Sequence, residues 1–159
     1  MEKDSRIRML FFGMFVVLIL LTGCAAQPAL VPSKYDEAGL NQLAGVVMTT
    51  TQTSYVSGTH NIQLKIRNDT DKEYSYGVAF AVEQKVDGKW YAVPFKGEPV
   101  FNQLAVILAP HSENLESVDL GILAGELKPG LYRIVKEMEG EVVTADFTIA
   151  QPSGGGGGY

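Results

Sequence analysis

One side chain has the type and setting for covalent chemistry. Cys24 is the only cysteine, and it closes the run Leu21-Thr22-Gly23-Cys24 directly after the apolar stretch Leu10–Leu21. A thiolate is a strong nucleophile, and Thr22 and Gly23 are small enough to let an extended segment enter a processing site. The other chemistry-bearing residues are scattered. His60 and His111 lie far apart in turn-like stretches, where a metal site would need a cluster of ligands. Asp69, Asp71 and Glu73 could offer hard oxygens to Ca²⁺. They lack the twelve-residue loop and bidentate Glu of an EF-hand, and Lys72 sits among them, so a solvated turn is the better reading. No Gly-x-Ser-x-Gly elbow is present, and nothing in the sequence ties Ser112, His60 and Asp119 into a triad. Glu137, Glu139 and Glu141 read as the charged surface of a hairpin. The sequence therefore predicts no catalytic residue, no metal and no cofactor.

The elements around Cys24 give it meaning. Lys3, Arg6 and Arg8 precede the twelve-residue apolar core, and small residues follow it, which is the layout of a secretory signal. As a helix that core would be about 18 Å long, short of the roughly 30 Å hydrocarbon layer. The run through Cys24 resembles the lipobox of bacterial lipoproteins. That resemblance implies a diacylglyceryl group on the sulfur and cleavage just before Cys24, and two acyl chains give stable anchoring where one does not. The competing reading is an uncleaved spanning helix over Met9–Ala26, eighteen uncharged residues at the lower limit for crossing. Both put the positive end inside and the rest of the chain outside. The expected organisation is a signal at 1–23, a lipidated flexible tether at 24–44, one domain at 45–150 and a flexible Gly-rich tail at 151–159. Weakly signalled within the tether is a short helix near Tyr35–Leu43.

The full chain carries 13 Lys+Arg against 18 Asp+Glu. Without residues 1–23 these fall to 10 and 16, and no basic stripe is visible. Nucleic acid and anionic head groups are poor partners for such a surface. With Cys24 unpaired, the domain must hold together by its core alone.

Short strand-like runs alternate with turn signals from residue 45 onward, which predicts an all-β sandwich of seven or eight strands. Val46–Thr51 is a β-branched run. Ile62, Leu64 and Ile66 alternate with polar residues, and Asn68–Asp71 makes a turn. Val78, Phe80 and Val82 alternate in the next expected strand, and Trp90–Phe95 returns after Asp87-Gly88. Leu104–Leu108 reads as a fully buried strand or a short helix, and Leu115–Leu120 as a weaker strand. A final hairpin around Gly140 would turn Val143, Ala145, Phe147 and Ile149 inward.

Trp90 and Tyr91 are the candidate binding surface. A two-residue Asp87-Gly88 turn places Tyr91 and Val93 beside Val82 and turns Trp90 outward. A three-residue turn with a bulge brings Trp90 inward, since one residue flips the face. An outward pair would make a contact patch for protein or glycan. The usual fate of a lone tryptophan in a sandwich is at least partial burial.

Leu127-Lys128-Pro129-Gly130-Leu131-Tyr132 resembles the tyrosine corner of Greek-key sandwiches, in which Leu127, Pro129, Gly130 and Tyr132 are structural. Asn68–Tyr74, Glu83–Tyr91 and Lys128–Ile134 follow one another in an order similar to the bacterial immunoglobulin-like domains of Gram-positive surface lipoproteins, over roughly Gly45–Ala150. The resemblance implies an immunoglobulin-like two-sheet fold and an extracytoplasmic place, and no activity. The expected function is a non-catalytic, lipid-anchored binding or structural module on the extracytoplasmic face of the cell membrane. Its partners would be the membrane, through Cys24, and an envelope protein or cell-wall ligand. The alternative is a protease inhibitor presenting the Pro94–Pro110 stretch as a loop.

Overall fold

The computed structural model describes residues 30–151. The expected signal, Cys24 and residues 152–159 lie outside them. Among the described residues, eleven strands form two sheets. One holds β2 (Val46–Thr50), β4 (Asn61–Asn68) and β9 (Ser112–Asp119). The larger runs in the order β1 (Val31–Pro32), β7 (Lys89–Ala92), β6 (Ala81–Val86), β10 (Gly130–Met138), β11 (Glu141–Ala150), β3 (Ser54–Val56). β5 (Tyr74–Gly77) pairs with the far end of β10 and with β8 (Ala105–Leu108). The chain leaves the small sheet after β4, builds β5 to β8 on the other side, and returns as β9 beside β4. This is the connectivity of a Greek-key, immunoglobulin-like sandwich.

Alternation drives the packing. Ile62, Leu64 and Ile66 on β4 meet Ile134, Met138, Val143, Ala145, Phe147 and Ile149 from β10 and β11 in one core. Residues two apart on a strand share a face, so each such row buries together. Tyr132 stacks on Phe147 with ring centroids 5.6 Å apart. Its hydroxyl donates to the Lys128 carbonyl four residues upstream at 2.7 Å, and Leu127 lies buried beside the turn. The 68–72 turn is held from inside by Asn68, which donates to the Lys72 and Ala109 carbonyls at 2.7 and 2.9 Å and accepts from Thr70. Both tight hairpins place two residues at positive φ, Asp87 and Gly88 in one and Glu139 and Gly140 in the other. That geometry matches the twist of the flanking strands.

Three expectations need correction. The run Val78–Val82 is not one strand; residues 78–80 interrupt it, and β5 and β6 pair with different parts of β10. Leu104–Leu108 gives neither a helix nor a buried strand. β8 is paired on one side only, to β5, and Ile107 is exposed. The third concerns the tether. Residues 30–44, its described part, are fixed to the domain. β1 pairs with β7, Ser33 N–H donates to the Trp90 carbonyl, and Asn41 N–H donates to the Val142 carbonyl at 2.7 Å. Between them Asp36 caps a single 3₁₀ turn, Glu37–Gly39. The segment is a strap across the outer face of the large sheet. It is held by backbone pairing at each end, which needs no hydrophobic period and so leaves little trace in the sequence.

Candidate functional site

The outer face under the strap gathers most of the buried charge. β10 carries Arg133 outward, opposite Glu83 of β6. Arg133 Nε donates to Glu83 Oε2 at 2.7 Å, and Nη1 donates to Glu37 Oε1 of the strap at 2.9 Å. The guanidinium also lies 4.2 Å from the centre of the Trp90 ring, and Nη2, which finds no hydrogen-bond acceptor, belongs to this stacked group. Lys85, opposite Trp90 in the register, covers the ring at 5.2 Å. A cation over an indole face is attracted by the ring quadrupole. Asp146 pairs with Arg133 across β10 and β11, and burial raises its carboxyl pKa although Arg133 and Lys85 pull it back.

This resolves the Trp90 register and corrects its expected role. The turn has two residues and pairs Val86 with Lys89, so Trp90 does face outward. It is nevertheless only 9% exposed: Arg133 and Lys85 lie over its ring, and Ser33 of the strap is hydrogen-bonded to its carbonyl. Tyr91 points to the opposite side of β7 and is half-buried. The two therefore form no open contact patch.

A second charged pair lies between the sheets. Lys136 occupies an inward position of β10, and its amine donates to Glu116 Oε1 of β9 at 2.6 Å, 5.3 Å from the centre of the Tyr76 ring. Burial lowers the Lys136 pKa and Glu116 opposes that fall; burial raises the Tyr76 pKa. An amine poised beside a carboxylate has the makings of acid–base chemistry. Here the Lys136 side chain has 0% of its surface exposed, so the pair acts as a bridge between sheets. Sequence reasoning missed both Arg133 and Lys136. In the run Arg133-Ile134-Val135-Lys136 the charges look like solvent-facing residues, and only the neighbouring strands reveal otherwise.

Of the remaining polar residues, His60 and Asp119 meet beside Gly121, without a serine nucleophile next to them. Ser112 begins β9 and Asp119 ends it, about 23 Å apart along an extended strand. Asp119 caps the turn at Gly121, and His111 pairs at the surface with Asp71 at 2.8 Å. Glu137, Glu139 and Glu141 are exposed around the last hairpin. No group of three His, Cys, Asp or Glu among the described residues is placed to hold a metal.

What stands open is one end of the sandwich. The chain leaves β7 into a loop from Pro94 to Leu104. Phe80, Phe95 and Phe101 meet edge to face with centroids 5.3–6.0 Å apart and root that loop on the sheet. Above the root, Val100 is 96% exposed and Leu104 67% exposed. Beside the loop runs a groove of about 580 Å³ lined by Tyr76, Phe101, Leu104, Glu137 and Glu139 among others.

Residues 42–148 match the protein family described as Bacterial Ig-like domain, which spans the whole sandwich from before β2 into β11. No curated protein matches the chain.

Proposed function

The chain belongs to the bacterial Ig-like domain family, and on that premise we propose that it is a lipid-anchored, non-catalytic binding or structural module at the extracytoplasmic face of the cell membrane. The family is typically non-catalytic and fits an extracellular or surface location. The observation that carries the reading is the run Leu21-Thr22-Gly23-Cys24, placed after a short apolar core and six residues before the first described residue of the strapped sandwich. The anchor would hold the domain at the membrane, and the domain would offer its loops and edges to an envelope protein or a cell-wall polymer.

The distance of Ser112 from the neighbouring His60 and Asp119, and the burial of Lys136, support a role without turnover. Detergent-phase partitioning of the full chain tests the anchor. The wild type enters the detergent phase and Cys24→Ala stays in the aqueous phase; equal partitioning of the two would favour an uncleaved spanning helix. Capture of one defined envelope component by the full chain tests the module.

A protease-inhibitor reading has one specific support, the exposure of Val100 on a rooted loop. Inhibition of a protease by the full chain, lost in Val100→Asp, would favour it.

A further inference from the structure

We infer that the Pro94–Leu104 loop is the face this protein turns to the bilayer, with Val100 entering the lipid interface. The inference rests on the lipid anchor at Cys24. Its first support is chain length. The strap removes residues 30–44 from any free linker, which leaves six Cα steps between Cys24 and Leu30. At 3.3–3.6 Å per residue they reach about 21 Å at most. A lipid on Cys24 would therefore hold Leu30 close to the membrane surface.

The second support is where Leu30 sits. β1 runs antiparallel to β7 with Val31 opposite Ala92, so Leu30 lies where β7 exits into Pro94. The anchored end thus adjoins the start of the loop. The Asp87–Gly88 hairpin is at the other end of the β6–β7 pair.

The third support is surface chemistry. Among the described residues, Leu30, Val31, Val100 and Leu104 are four of the nine exposed large hydrophobics, two beside the exit of β7 and two in the loop that follows it. Phe80, Phe95 and Phe101 hold the loop up from below. The charges nearby are mixed: Lys96 and Glu98 lie in the loop, and Glu137 is paired with Lys34 at 3.6 Å. Attraction to anionic head groups would need a basic patch, so the contact is apolar and indifferent to salt. Two aliphatic side chains are too few to bind free protein to a membrane. The anchor makes the contact intramolecular, and a weak contact then suffices.

The lipidated full chain has its native sulfur blocked, so Val100→Cys supplies one unique thiol at a site whose exposure makes it indifferent to folding. An environment-sensitive fluorophore on that thiol is read in phosphatidylcholine vesicles containing a shallow nitroxide lipid. Asp87→Cys, labelled the same way, is the control at the far end. The expected result is quenching several-fold stronger at Val100 than at Asp87, unchanged by 0.5 M salt, a concentration that cuts the screening length to about 4–5 Å. Equal, weak quenching at both sites in protein that co-sediments with vesicles overturns the inference while leaving the anchor standing. Shielding of the Val100 label from soluble iodide without nitroxide quenching also overturns it, since a protein would then cover the loop. Failure to co-sediment, with no lipid mass on Cys24, removes the anchor and the inference together.

Discussion

Arg133 carries the heaviest burden of any single side chain. Its neighbour Glu83 is 1% exposed, so removing the guanidinium would leave a buried carboxylate without its counter-charge. Breaking one partner of such a pair costs about 3–5 kcal/mol, and Arg133→Ala is expected to lose that much in urea unfolding. Trp90 is the only tryptophan, so its emission reports the same site. Loss of the stacked guanidinium should shift it to longer wavelength in the folded variant, and unchanged emission would mean that Arg133 is not what keeps water from the ring. Tyr132→Phe removes one hydrogen bond to a surface turn and is expected to cost about 1 kcal/mol. The two residues differ in how well the sequence announced them. Tyr132 follows a local Pro-Gly turn whose geometry its own neighbours determine. Part of the cover over Trp90 is Lys85 of the same hairpin, but the closer cation, Arg133, comes from 43 positions away, and no local pattern encodes that.

Elements built on alternation were legible, and elements built on pairing were not. The β10–β11 hairpin followed from its period-2 rows and Gly140. β1, by contrast, is two exposed residues, and the strap carries no period at all. Its attachment is testable by hydrogen exchange. Glu37→Ala removes the one strap carboxylate bound to Arg133. The Ser33 and Asn41 amides should then exchange faster, while those of Tyr132–Val135 keep their protection, because the strap opens below the global unfolding energy. Lys136 in the inward row of β10 explains why a strand that reads as half-polar is buried along most of its length. Lys136→Met should cost about 3 kcal/mol by stranding Glu116, and Lys136→Met with Glu116→Leu should recover most of it. The pH dependence has a definite sign. Burial holds the folded Lys136 below the ordinary 10.5. In the window between its folded value and 10.5 the unfolded chain binds the proton that the folded one has released, so this amine makes stability rise with pH there. Tyr76 and Tyr132, raised above 10.0, make stability fall as pH climbs past that value. Lys136→Met should abolish the rise and keep the fall.

For the whole molecule, the strap changes what an anchor would do. Twenty free residues would let the domain wander about 25 Å from the lipid surface on average. Six steps after Cys24 would keep Leu30 within about 21 Å of the surface, with the outer-face charges consumed in holding that strap. Fold and strand rows could be read from composition and period. The place of the anchored end could not, because it depends on which edge the first strand joins. All of this follows from a lipid on one sulfur, and intact mass spectrometry of the membrane-derived protein tests that most directly. The expected result is a mature chain that begins at Cys24 and carries a diacylglyceryl group on that residue. A chain that retains residues 1–23 with a free Cys24 thiol would contradict it.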